Sequence, residues 1–463
     1  MPCSHSGGGD KDRLSKRDFM KAAVAIGGAS SVAAVSAHTD QSPRKPRDYA
    51  PWEFERTDAA ERQHAWVEFL RTSGNGIRAL PEHHVFLHLD YAKEGTPSES
   101  DRQELAATLE TFERAYEWSN HGLLFTVSYS QRYFDRFDED LPEQIDLRYP
   151  EEVIEEADLQ KDREDAVAED DDVHVHLTSD HPQAVLRAEQ ALLGEGDTVN
   201  GVDVETDMSG IFEVSHRRTG FVDQRVGGIR KSNWGKSKPH NRFEEDVPGE
   251  NPVPRDAPVF FGFKSLFTDS QPHQDHVTFT DEDNPFEGGT IVQASLIKDD
   301  IKAWYDDHEH EDQIHRMYSP HHTPEETGKH GRNLPPRSGT EDEPMISLAR
   351  KAGEDSEQKG VVGHAQKLAR ARDPLPPLLR RDVPSTHENH PHLQFVSLQK
   401  SVEDFITVRQ HMSFIDPEGD QRAEEELPLE DHGILGYLET KRRGTYLMPP
   451  RDVRAFPRPN PDR

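Results

Sequence analysis

Apolar positions along this chain switch between two spacings, and the switches mark its elements. From His83 to Tyr91 they alternate, with Val85, Leu87 and Leu89 on one face and Phe86, His88 and Asp90 on the other, which predicts a strand. After the turn at 95–97, Leu105, Leu109, Phe112 and Tyr116 recur at helical spacing behind the capping-type residues Ser98 and Ser100, so a helix is expected over 100–118. Strands follow at 122–129, running on into 130–135, and at 173–177, then a helix over 180–193 introduced by Asp180-His181-Pro182-Gln183. The acidic stretch 150–172 lacks periodicity and reads as a linker. The order strand, helix, strand, strand, helix is that of a ferredoxin-like α+β unit.

The second half repeats the order. Gly288-Gly289 starts a strand at 290–296, a helix is expected around Ile297, Ile301 and Trp304, and 393–398, 401–414 and 444–449 read as strand, helix and strand. Between the halves, 231–287 has one apolar island, 259–263, and otherwise reads as an elaborated connection. A tract with His308, His310, His315, His321, His322 and His330 matches no metal-ligand template and reads as a solvated loop. The fold class is α+β, barrel-like, with two ferredoxin-like halves whose antiparallel sheets face each other. The expected divisions are 1–37, a tail and export signal; 38–80, a polar arm; 81–217, the N-terminal half; 218–287, a loop and irregular connection; and 288–463, the C-terminal half.

Composition narrows the partners. The 463 residues carry 88 Asp plus Glu against 55 Lys plus Arg, a formal charge of -33, and such a field repels nucleic acid and anionic lipid. Hydrophobic content is only 32%, yet the apolar residues cluster, which favours a folded protein with a halophilic surface over disorder. Cys3 is the one cysteine, so disulfides, thiolate metal sites and cysteine nucleophiles are excluded from the body of the chain. Ser15-Lys16-Arg17-Asp18-Phe19-Met20-Lys21 precedes a small-residue apolar run to Ala37. It resembles a twin-arginine export signal, implying an exported protein, and the run is too short and Gly-rich for a membrane span.

The stretch 361–382 concentrates candidate chemistry: His364, then Arg372, a break at Pro374, Pro376 and Pro377, and the pair Arg380-Arg381. A histidine can ligate a metal or haem iron, and arginines can face an anion or peroxide. Taken alone, His364 reads as a surface histidine, Arg380-Arg381 as a solvated pair, and Asp223 in Gly220-Phe221-Val222-Asp223 as a turn aspartate.

Read together with Leu124 to Phe134, Asp180 to Gln183, Gly288 to Thr290 and Leu393 to Met412, these segments stand in an order that resembles the dye-decolourising (DyP-type) haem peroxidase family, including its deferrochelatase-type members, over about 85–450. A halophilic archaeal member is expected. The resemblance implies a dimeric α+β barrel holding heme b (iron protoporphyrin IX) in the C-terminal half. It makes His364 the iron ligand, and Asp223 and Arg380 the catalytic pair on the peroxide side. Arg372 falls near a haem propionate, and Arg381 is a further haem-binding candidate or a substitute for Arg380. It also implies hydrogen peroxide and a small organic electron donor as partners, with room for a homo-oligomer. Gln224 stands where the family has glycine, and the 16-residue step from His364 to Arg380 is short for it. Glu439 is the candidate carboxylate to orient the imidazole. The alternative function is a haem-binding or iron-releasing protein without strong peroxidase activity.

Overall fold

The computed structural model describes residue 51 and residues 59–461, apart from 73–77, 158–165, 223–245, 247, 249–252, 255–256, 258, 264–270, 329–351, 372–375 and 414–430. The export segment and most of the polar arm, with Asp223, Gln224, His330 and Arg372, therefore lie outside the described residues.

The first half forms β1 (His83–Tyr91), α1 (Glu99–Ala115), β2 (Leu124–Ser130), β3 (Val173–Ser179), α2 (Pro182–Leu192) and β4 (Phe212–Phe221). Helix α1 starts where Ser98 and Asp101 form a capping box, each side chain accepting from the other's backbone N–H, and it buries Leu105, Leu109 and Phe112. Strand β4 completes the ferredoxin-like unit and was not expected. Its sequence, Phe212-Glu-Val-Ser-His-Arg-Arg-Thr-Gly-Phe221, carries charge on both faces, because it lies at the sheet's edge and buries an arginine, Arg218.

The second half supplies β5 (Thr290–Asp299), α3 (His364–Arg370), β6 (Leu379–Arg380), β7 (Val383–Ser385), β8 (His392–Gln399), α4 (Val402–Met412) and β9 (Leu438–Met448). The two halves share one ten-stranded sheet, ordered β6-β8-β5-β9-β2-β3-β1-β4, with β7 and the short strand Val167–Ala168 beside it. With β7 set aside, each half keeps the same internal order, its second, third, first and fourth strands in turn. They are joined edge to edge where β9 pairs with β2, Tyr446 opposite Ser130 and Leu447 opposite Tyr129. Among the described residues no strand pairing closes a barrel. The ends do approach: Ser385 Oγ donates to the Thr219 carbonyl at 2.7 Å, and a Cβ on Gly220 would stand 2.4 Å from Val383.

On the face of the sheet that this approach covers, β1, β3, β4 and β9 bring together His84, His88, His174, His176, Arg218 and Tyr446, all buried. The stretch 150–172 is part of this arrangement rather than a linker. It forms the helix Pro150–Ala157 and then sends Glu169 to Arg218, Asp171 to His88 and Tyr446, and Asp172 to Arg136. Its lack of periodicity follows from side chains that make buried ion pairs instead of packing an apolar stripe.

The helix expected around Ile297, Ile301 and Trp304 is Ile301–Asp306, and the described part of the histidine tract after it is likewise folded, into the short helices His310–Met317 and Pro324–Thr327. His310 stacks on Phe263, His308 meets the Tyr437 hydroxyl, and His321 meets Asp355 at 2.7 Å. The apolar island 259–263 docks beside it: Trp304 Nε1 donates to Phe261 O at 3.1 Å and Tyr305 Oη to Phe260 O at 2.9 Å. This second, smaller core borders the cavity described next. No described helix is long and apolar enough to cross a membrane.

Candidate functional site

The second half encloses a cavity of about 200 Å³, measured as the space open to the centre of a water molecule. Its base is the sheet face carrying Ser295 and Asp299 of β5, Phe395 of β8 and Arg443 of β9. Helices α3 and α4 form its sides, with Leu368, Phe405 and Met412 directed to it, and the 259–263 island adds aromatic rings. The walls are chiefly apolar, so the few polar and charged groups that reach it act with little screening by water.

His364 is one of them. It is the first residue of α3, half-buried at the cavity wall, with Nδ1 sealed from solvent and without a hydrogen-bond partner. Burial, then the charges of Lys367 and Arg380, lower the imidazole to about 3, so it is neutral at ordinary pH and has a lone pair to give. The backbone around it is fixed. Gln366 accepts from the Gly363 N–H at 2.8 Å and donates to Asp355 at 2.7 Å, while Lys367 donates to the His432 carbonyl at 2.6 Å. Both neighbouring glycines are required by space: a Cβ on Gly363 would lie 1.9 Å from the Tyr318 carbonyl oxygen, and one on Gly433 would lie 2.8 Å from the His364 nitrogen.

Arg380 also lines the cavity, as the last residue of β6 opposite Ser397. Two residues on, Asp382 lines it too, and the pair stands 3.6 Å apart, guanidinium to carboxylate. Asp382 is buried with Oδ1 unpartnered, and burial pushes its carboxyl up to about 6 against the pull of Arg380. Asp299, buried and without a cation beside it, is pushed well above the carboxylate range by burial alone. Burial thus favours its uncharged form on the same wall.

The structure brings His364 and Arg380 to one cavity and separates them from Arg381. That residue is turned to the opposite side, where its guanidinium stacks 3.7 Å above the Trp66 ring and donates to the His64 carbonyl, and burial lowers it to about 9. Glu439 is corrected as the orienting carboxylate: it pairs with Lys441, and among the described residues no carboxylate meets the imidazole Nδ1. Asp382 and Asp299 were missed. The signal for Asp382 was available in Leu379-Arg380-Arg381-Asp382-Val383, because an extended chain places 380 and 382 on one side and 381 on the other. Asp299 carries no such signal, as its role follows from the end of β5 facing the cavity.

The donor set suits a haem. Among the described residues no group of three or more His, Cys, Asp or Glu could hold a bare metal ion. A haem iron would ask the protein for a single imidazole, since the porphyrin brings four nitrogen ligands of its own. An unpartnered, neutral imidazole beside apolar walls meets that need, and Arg380, Arg409 and Arg443 on the same lining match carboxylate substituents of the macrocycle.

Over residues 81–450 the chain matches a family described as being of unknown function, DUF7405. No curated protein matches the sequence. Among solved structures, the encapsulated DyP-type peroxidase of Mycobacterium smegmatis is similar at 15% identity over 83% of this chain and 97% of its own, with a TM-score of 0.48. A dye-decolorizing peroxidase of Bacteroides thetaiotaomicron is similar at 12% identity over 81% and 95%, TM-score 0.47. A variant of Rhodococcus jostii DypB in complex with haem is similar at 14% over 81% and 96%, TM-score 0.44.

Proposed function

For a chain that belongs to DUF7405, a family of unknown function, we propose the function of a haem-dependent peroxidase of DyP type, reducing hydrogen peroxide and oxidising a small organic donor. The observation that carries this reading is His364: a neutral imidazole without a hydrogen bond, at the wall of an apolar cavity that also holds the half-buried Arg380. The order of the sequence segments from Leu124 to Met412 supports it independently. His364 would hold the iron of heme b. Arg409 and Arg443 would meet the propionates, a part the resemblance gives to Arg372. Bound there, the haem would supply the redox chemistry of peroxide reduction.

The chain's own residues would do the rest. Arg380 would hold a peroxide oxygen by a charge-assisted hydrogen bond from its guanidinium. The apolar walls would exclude bulk water and strengthen that bond. Asp223 belongs to this proposal through the resemblance, as the aspartate on the peroxide side. Export by the twin-arginine-like segment, a salt-adapted surface and a homo-oligomer belong to it as well. One observation favours the second reading, a haem-binding or iron-releasing protein with weak peroxidase activity. An iron-ligating histidine is ordinarily made more basic by a carboxylate on its other nitrogen, and among the described residues none stands at His364 Nδ1.

The test is reconstitution with haem, read as a Soret band, followed by peroxide turnover with a dye. His364→Ala is expected to lose the band or shift it. Equal haem binding by His364→Ala would refute the ligand, and a bound haem without peroxide turnover would select the second reading.

A further inference from the structure

Two buried carboxyls line the cavity and neither is among the residues that the family resemblance marks. Asp299 has no cation near it. Asp382 has Arg380 at 3.6 Å, one carboxylate oxygen sealed from solvent without a hydrogen bond, and a place on the same lining as His364. Arg380 is the link between them, since its charge is felt at both His364 and Asp382.

We infer that Asp382 is a proton-transferring catalytic residue of this cavity, exchanging a proton with hydrogen peroxide held beside Arg380. The inference rests on the peroxidase reading and deepens it. The carboxylate takes the proton from one oxygen of the peroxide, that O–H bond breaking as the carboxyl O–H forms. The carboxyl then gives the proton to the other oxygen, which makes it a better leaving group. Asp382 ends as it began, and no electron passes through it.

Three properties suit Asp382 to this exchange. A group that must both accept and release a proton works best when its two forms are close in free energy at the working pH, and burial brings Asp382 to about 6. An orphaned oxygen is available to a ligand without first breaking a bond inside the protein. Arg380, fixed by its pairing in β6 and by the Gln271 side chain on its N–H, holds the carboxyl on the cavity side. Among the described residues the other titratable or charged groups on the cavity are His364 of α3, Asp299 of β5, Tyr318, Arg409 of α4 and Arg443 of β9. Burial lowers His364 to about 3, away from the range in which Asp382 titrates, and raises Asp299, so loss of the limb near 6 in Asp382→Asn is what assigns it to Asp382.

The experiment compares the wild-type protein with Asp382→Asn and Asp382→Glu. Haem uptake is read first by the Soret band, which all three are expected to keep. Cyanide association, which requires hydrogen cyanide to give up its proton in the cavity, is then followed at that band without any turnover. Asp382→Asn is expected to slow both cyanide association and the reaction with peroxide on the order of 10²-fold and to lose the limb near pH 6. Asp382→Glu should restore part of both. In the haem-free protein, acidification through pH 6 should raise an infrared carboxylic-acid band that Asp382→Asn lacks. Unchanged rates and an unchanged limb in Asp382→Asn overturn the inference while leaving the haem site standing. A wild-type protein that takes up no haem overturns the peroxidase reading, and this inference with it.

Discussion

Arg380 and Asp382 stand side by side on one wall of the cavity, 3.6 Å apart, while Arg381 between them faces the opposite way and stacks on Trp66. One extended step thus divides three consecutive charged residues between a ligand cavity and a structural contact. The cation is too weak to offset the burial of Asp382, whose carboxyl stays near 6 rather than its ordinary 3.8.

That displacement makes stability depend on pH. A carboxyl raised on folding binds its proton more tightly in the native state, so its contribution is fully present below pH 3.8 and is lost as pH rises through about 6. The difference corresponds to about 3 kcal/mol. Ligand-free Asp382→Asn should therefore gain melting temperature over the wild type at pH 8, and the gain should shrink toward pH 4. Equal melting temperatures at both values would show that Asp382 is not held in a desolvating site.

The Glu169–Arg218 pair lies on the other side of the sheet, fully buried, with a second contact from Arg218 at 3.0 Å and His88 close by. Burial alone would raise Glu169, and the charges of His88 and Arg218 hold it low instead. Replacing Arg218 with Leu leaves that carboxylate without its strongest hydrogen-bonding partner. Urea unfolding should register a loss of about 3–5 kcal/mol. The double variant Arg218→Leu with Glu169→Gln should recover part of it.

Gly433 adopts a left-handed φ of 67° and its missing Cβ leaves room for the backbone of His364. Gly433→Ala meets both a strained conformation and a contact with the His364 nitrogen. A stability loss of about 1–3 kcal/mol is expected. Haem affinity should fall further than stability alone explains, because the imidazole is displaced; titration of haem at a temperature well below unfolding separates the two effects.

Where the sheet's two ends meet, Gly220→Ala would press its methyl into Val383. Loss of about 1–3 kcal/mol is expected, and Val383→Ala in the same chain should relieve it. Additive losses in the double variant would mean that β4 and β7 do not touch in solution.

Much of this architecture was legible in the apolar spacing. Val85, Leu87 and Leu89 alternate because they face the helices, and Leu105, Leu109 and Phe112 repeat at helical spacing because α1 covers that face. Strand β4 and the stretch after Pro150 were not legible. Arg218, Glu169, Asp171 and Asp172 are buried by pairing with one another and with residues distant in sequence, which no local hydrophobic count detects. The site was legible in part: the structure puts His364 and Arg380 on one cavity, whereas Arg381 and Glu439 turn to other partners. Asp299 could not have been chosen, since what marks it is the absence of a partner in three dimensions.

The pairing of β9 with β2 has a consequence for how the chain is made. The edge of β2 has a complement only in a segment more than 300 residues later, so during synthesis the N-terminal half emerges from the ribosome with a bare strand edge. Its partner cannot reach it until the C-terminal half has been translated. Such distant pairing slows folding, and the waiting edge is open to strands of other nascent chains. High net negative charge, by keeping nascent chains apart, would protect this protein in the interval before its own β9 arrives.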